Sequence, residues 1–249
     1  MLADYENAFR HARIRREDGI LELQLHSDDG PLVWGDGPHE ELGRVFTAVG
    51  RDPDNRVVIV TGTGGDFIAS MDASWVGAMT AQKWNRIYTH GQRLLTQLLD
   101  IEVPVISAIN GPAKIHAEIA LLADIVVAEQ SSYLQDAPHF KFGTVPGDGV
   151  HVIWPMLLGP NRGRSFLLTG ERIGADEAKR LGIVAEVVPD GQSLAAAWKW
   201  ARQLARQSDI TLRYTRAALT QNLKQQLLAQ LGFGLALEGL TAYETWPDA

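Results

Sequence analysis

Two short β-branched runs, VVIVTGTG (57–64) and VPVISAIN (103–110), constrain this chain most. Each is rich in Val and Ile and ends in Gly or Asn, the pattern of a buried strand. Between them Trp84, Ile87, Tyr88, Gly91, Leu94, Leu95 and Leu98 keep one helical face apolar or small. Upstream, Leu21, Leu23 and Leu25 alternate with Glu22 and Gln24, the period of a half-buried strand, and Leu42, Val45, Phe46 and Val49 fall at helical spacing. Strand and helix alternate, so an α/β core is expected. VAEVVP (184–189) is the last strand candidate, and from Gln192 onward the pattern is helical. A boundary near residue 190 is expected to divide a core, 1–190, from a helical C-terminal region, 191–249. Within that region Leu227, Leu228, Leu231, Leu235 and Leu240 predict a terminal helix that packs on the core or on a neighbouring subunit.

The length of 249 residues allows one large domain, and 45% hydrophobic with 21% charged residues is an ordinary globular balance. A net charge of -7 without a Lys/Arg cluster argues against a nucleic-acid partner. With no cysteine there is no disulfide, thiolate nucleophile or cysteine-ligated metal, so any nucleophile must come from elsewhere. The opening MLADYENAFRHARIRRED has no signal-type apolar run, and no stretch reaches the roughly 18 apolar residues of a spanning helix. No membrane association and a cytoplasmic location are therefore expected.

TGTGGDF (61–67) follows a strand but lacks both the P-loop lysine and the dinucleotide-binding spacing, and no serine sits in G-x-S-x-G. Of the seven histidines, His11, His26, His90 and His151 read as surface or satisfied groups. His116 opens the helical run HAEIALLA, where the helix dipole is expected to keep the ring neutral and able to donate one hydrogen bond; a solvent-facing helix-terminal histidine is the equal alternative. His139 lies in the loop DAPHFKFGTVPGDG (136–149), nine residues before Asp148. A carboxylate there can hold one ring nitrogen and aim the other at a water, as a general base needs, or Asp148 can simply cap the next helix. Glu238 shares a helical face with Leu228, Leu231 and Leu235, so it is paired, at the helix edge, or functional. No H-E-x-x-H or carboxylate array has metal spacing, and no metal or cofactor is expected.

The landmarks Val57 to Gly62, Phe67-Ile68-Ala69-Ser70-Met71-Asp72, Pro104 to Ala113, Pro138, Val145 to Gly149, Leu168-Thr169-Gly170 and Leu181 to Val184 run in an order that resembles the crotonase (enoyl-CoA hydratase/isomerase) superfamily over nearly the whole chain. The resemblance implies a spiral of ββα units with a helical C-terminal region, assembled as a homotrimer or dimer of trimers. The chain departs from the usual pattern where a Gly run supplies an oxyanion N–H: Ile115-His116-Ala117 stands there. The two hydratase glutamates fall at Ile119 and His139.

Val33-Trp34 with His39, His116-Ala117-Glu118-Ile119, Pro138-His139-Phe140, Pro146 to Gly149, Trp154-Pro155 and Leu235 to Glu238 resemble the branch of β-diketone hydrolases that includes 6-oxocamphor hydrolase. That resemblance implies cofactor-independent cleavage of a C–C bond in a cyclic 1,3-diketone, a small-molecule partner. In that reading His139 is the base that activates water, oriented by Asp148; His116 and Trp34 donate to the enolate oxygen; Glu238 and His39 bind the polar end or the water. Trp75, Met79, Phe142 and Trp154 are expected to shape the pocket. The alternatives are a coenzyme A thioester hydratase, isomerase or hydrolase, and a non-enzymatic binding or assembly protein.

Overall fold

The computed structural model describes residues 1–75 and 77–246. In chain order the strands and helices are β1 (Ala12–Glu17), β2 (Ile20–Leu25), β3 (Val33–Trp34), α1 (Asp36–Arg51), β4 (Val57–Thr61), β5 (Ser70–Met71), α2 (Ala81–Leu99), β6 (Val105–Ile109), α3 (Glu118–Leu121), β7 (Ile125–Glu129) and β8 (Tyr133–Leu134). They continue with α4 (Val150–Leu158), α5 (Pro160–Thr169), β9 (Ile173–Gly174), α6 (Ala175–Arg180), β10 (Glu186–Val188), α7 (Ser193–Leu204) and α8 (Asp209–Thr245).

The main sheet has the order β1-β2-β4-β6-β7-β10. Only the β1–β2 hairpin is antiparallel; β2, β4, β6, β7 and β10 run parallel, with Leu21 opposite Val58 and Ile59 opposite Ile106. Every residue of β4 and β6 is buried, because both faces of the sheet are covered. Strand periodicity sorts the side chains between two cores. Leu21, Leu23, Val58, Val60 and Val105 point to the face covered by Val45 and Phe46 of α1 and Leu94 and Leu98 of α2. Ile20, Val57, Ile59, Ile106 and Ala108 point to the other, against Ala197, Trp198 and Ala201 of α7.

This second layer changes the reading of β2. Glu22, expected on a solvated face, is buried beneath α7, where its carboxylate accepts the Trp198 indole N–H at 2.6 Å and an Arg15 N–H at 2.8 Å. The helices after residue 190 thus share the core of the spiral. Each turn adds a short extended piece after its main strand: β3 pairs with β5, Ile68 bridges to Ala113, and Ala113 bridges to Leu134. The result is the expected spiral of ββα units with a helical C-terminal region.

Helix α8 crosses the molecule and is held at both ends. Ser208 caps it by accepting the Thr211 N–H. Arg216, 2% exposed, donates to Asp124 at 2.7 Å and to the carbonyls of Leu99 and Ile101. Farther along, Gly234 lies against Gly147, so close that a Cβ added to Gly147 would stand 2.1 Å from the Gly234 carbonyl oxygen. No helix among the described residues is long and apolar enough to cross a membrane.

Gly147→Ala is expected to cost about 1–3 kcal/mol by overpacking rigid backbone. Thermal unfolding checks it, with Gly65→Ala, where an added Cβ meets nothing within 4 Å, as the near-neutral control.

Candidate active site

The segments that follow the carboxyl ends of β4, β6 and β7 converge with α1 and α8 around a cavity of about 410 Å3. Trp34, His39, His116, His139, Asp148 and Glu238 all line it. They come from β3, the first turns of α1, the approach to α3, the loop after β8, the turn before α4, and α8. Apolar walls are supplied by Met71, Trp75, Ile87, Phe142, Leu235 and others. Trp75 and Phe142 therefore lie where the sequence placed them. Trp154 does not: it is fully buried in the core against Phe166, with ring centroids 4.1 Å apart. Met79 packs beside Trp75 and Trp84 instead of lining the cavity.

Helix α8 presents Leu227, Leu231, Leu235 and Glu238 inward, and Leu228 is 66% exposed. Leu228 was expected on the buried face. The flank that α2 and α4 cover runs through Leu227 instead, and Glu238 sits near the middle of that flank.

His139 is buried, and its Nδ1 lies 2.6 Å from Asp136 Oδ1. The orienting carboxylate is therefore Asp136, three residues upstream. Asp148, expected in that role, faces the opposite nitrogen: its Oδ2 stands 3.5 Å from His139 Nε2 and 3.4 Å from His116 Nδ1. Glu238 Oε1 lies 3.8 Å from His139 Nε2. Burial alone would lower the His139 pKa, but Asp136 and then Asp148 outweigh it and hold the ring well above the ordinary imidazole value. For Asp148, burial pushes upward and the flanking His139 and His116 outweigh it, leaving the carboxyl below its usual range. Glu238 is pushed up to about 7, chiefly by burial, with His139 pulling the other way.

His116 departs from the expected neutral helix-terminal ring. The helix it precedes, α3, is a single turn capped by Ala117, too short to impose its dipole strongly. The buried Glu118 carboxylate lies 2.5 Å from His116 Nδ1. Burial lowers the His116 pKa, Glu118 overcomes it, and the net direction is upward; burial raises the Glu118 carboxyl, with His116 pulling the other way. His116 has φ +47°, the left-handed region that a non-glycine residue enters at a cost. The ring lies against Trp34 with centroids 3.9 Å apart and planes tilted by 38°. The Trp34 indole N–H makes no hydrogen bond among the described residues.

His39 is buried between Trp34, Trp75 and His116. Burial, reinforced by His116, pushes its pKa down to about 3, so it is neutral at physiological pH. Glu118 and Asp136 were not singled out from the sequence. The available signals were local: a carboxylate two residues after His116 and another three before His139.

Residues 16–242 match the Enoyl-CoA hydratase/isomerase family. The chain belongs to this crotonase superfamily. Among solved structures, a β-diketone hydrolase from the cyanobacterium Anabaena sp. PCC 7120, bound to (S)-3-oxocyclohexyl acetic acid, superposes with a TM-score of 0.94 at 44% identity, covering 97% of each chain. An enoyl-CoA hydratase/isomerase from Mycobacterium paratuberculosis superposes at 0.88 with 26% identity over 94% of each chain. By sequence, a crotonyl-CoA hydratase from Syntrophomonas wolfei is 29% identical over 95% of both chains, and a carnitinyl-CoA dehydratase from Escherichia coli K12 is 34% identical over 80% of this chain and 76% of its own. The protein is thus a crotonase-superfamily enzyme acting on a small molecule, in a subfamily position that its site residues must decide.

The His39 shift predicts a stability signature. Between its unfolded value near pH 6.5 and its folded value of about 3, the unfolded chain binds a proton that the folded ring refuses. Stability from this group is full above about pH 6.5 and falls as pH drops toward 3, by up to about 1.4 kcal/mol per pH unit. The melting temperature of the wild type is expected to fall relative to that of His39→Gln as pH drops below about 6.5.

Proposed function

We propose that this enzyme is a cofactor-independent β-diketone hydrolase that cleaves a C–C bond of a cyclic 1,3-diketone with water to give a keto acid. The observation that carries the reading is the pair of carboxylate-locked histidines facing one apolar cavity: the buried His139 on Asp136 and the half-buried His116 on Glu118. Such an arrangement supplies a base for water on one side and a donor for an enolate oxygen on the other.

His139 acts as base in its neutral form, reached once the proton that its raised pKa favours has left Nε2; with Nδ1–H donated to Asp136, Nε2 then accepts a water proton as the hydroxide adds to one carbonyl carbon. Asp136 and Asp148 stabilise the imidazolium that forms. The bond from the tetrahedral carbon to the central carbon then breaks, and its electron pair settles on the second carbonyl as an enolate. The His116 Nε2–H and the unpartnered Trp34 indole N–H are the donors for that oxygen. Return of the proton from His139 to the central carbon completes the keto acid. Glu238 and the neutral His39 hold the water or the polar end of the substrate. The keto acid bound by the Anabaena relative is the product class that water would release from a bicyclic 1,3-diketone. We further propose association as a homotrimer or dimer of trimers, supported by the exposed Tyr214, Leu219, Leu228, Phe233 and Leu240 of α8.

The names of the curated relatives favour a second reading, coenzyme A thioester hydration. Against it, the positions of the two hydratase glutamates hold Ile119 and His139, and the His116 side chain occupies the cavity wall where the usual pattern has glycine.

Incubation with a bicyclic 1,3-diketone is expected to release one equivalent of acid per turnover by pH-stat, with the keto acid identified by NMR and no hydration of crotonyl-CoA. Faster turnover of the thioester than of any diketone would reverse the assignment. His139→Gln is expected to lower kcat about 10²–10⁴-fold. His116→Ala removes an enolate donor and is expected to cost about 2.7–4 kcal/mol in kcat/KM.

A further inference from the structure

We infer that His139 Nε2, Asp148 Oδ2 and Glu238 Oε1 also form a binding site for one zinc-class divalent ion, and that an ion bound there inhibits the enzyme by displacing water and substrate. The binding half stands on geometry alone; the inhibitory half rests on the diketone-hydrolase reading.

Three observations carry the inference. The first is spacing. Tetrahedral zinc with bonds of about 2.0–2.1 Å holds its ligand atoms about 3.3–3.4 Å apart. His139 Nε2 stands 3.5 Å from Asp148 Oδ2 and 3.8 Å from Glu238 Oε1, and the three atoms all lie within 4.8 Å of one another, so small side-chain rotations close the set. The second is support behind the histidine. Nδ1 is fixed by the buried Asp136 carboxylate, the arrangement that orients a metal-binding imidazole and raises its basicity. The third is unmet demand: the second carboxylate oxygens of the same two residues, Asp148 Oδ1 and Glu238 Oε2, are buried without a hydrogen-bond partner among the described residues, on side chains each 7% exposed as residues.

An ion here would neutralise two carboxylates that burial otherwise disfavours, and its fourth position would open to the cavity. One imidazole and two carboxylates suit zinc or cobalt, and with no cysteine in the chain nothing favours a softer ion. The neighbouring group of His116, Glu118 and Asp148 is the weaker candidate. His116 Nδ1 and Glu118 Oε1 are only 2.5 Å apart, a hydrogen-bond length too short for two ligands of one ion.

The test titrates the full, chelator-treated chain with Co2+ and then Zn2+. Expected are one equivalent of saturable Co2+ with the strong visible bands of four-coordinate cobalt, bleached by zinc, with proton release on binding. Asp136→Asn is expected to weaken affinity about 10–100-fold by removing the support of the imidazole. Glu238→Gln, which keeps the side-chain shape, is expected to weaken it at least tenfold; melting curves confirm that each variant is folded. Diketone turnover is expected to fall in proportion to zinc occupancy and to return with chelator. Absence of saturable binding by the wild type, or unchanged affinity in Asp136→Asn, overturns the site. Binding with undiminished or increased turnover overturns the inhibitory role. A chain that binds the ion but turns over no diketone removes the hydrolase reading and the inhibition with it, and sustains the site itself.

Discussion

The close approach of Gly147 to Gly234 is the contact on which the site depends. The turn before α4 and the helix α8 meet there backbone to backbone, each glycine facing the carbonyl of the other at a distance no Cβ would tolerate, with the His151 ring packed against Gly234. Asp148 is the next residue on one side, and Glu238 is one helical turn along on the other. Close backbone packing therefore delivers two carboxylates, from sequence positions far apart, to the same nitrogen of His139. Arg216 makes this possible from the other end of α8 by fixing the helix to Asp124 and to the carbonyls before β6.

Such a gathering of charge is expensive to bury, and the fold manages it by pairing. Each histidine has its own carboxylate, Glu118 for His116 and Asp136 for His139, at hydrogen-bond distance on Nδ1. Asp148 then lies between the two rings and is held ionised by both. Glu238 is left with the weakest pairing, and burial raises it toward neutrality. Breaking any of these pairs would leave an uncompensated buried charge. The residue without a charged partner in the same cavity, His39, is the one that burial holds neutral.

Much of this was legible before any coordinates. The runs at 57–64 and 103–110 became the buried strands β4 and β6, and the apolar stripe from Trp84 to Leu98 became α2. Ordered motifs marked Trp34, His39, His116, His139, Asp148 and Glu238, and all of them line one cavity. Less legible was anything that depends on what covers an element. Glu22 reads as a solvated strand residue, but Trp198 of α7, 176 residues later, roofs it. Leu228 and Leu227 are indistinguishable by composition, and only the packing of α2 and α4 decides which is inside.

The sequence by itself determined the alternation of strand and helix, the crotonase spiral and six of the residues that line the cavity, because periodicity and motif order are carried by neighbouring residues. The tertiary structure decided the pairing within that set: Asp136 rather than Asp148 on His139 Nδ1, Glu118 on His116, and a raised rather than neutral-leaning His116. The reason is one of scale. A sequence pattern assigns a residue to a face or a loop, several ångströms wide, whereas a hydrogen bond of 2.5 or 2.6 Å is won or lost over tenths of an ångström that only the packed loops and α8 can set.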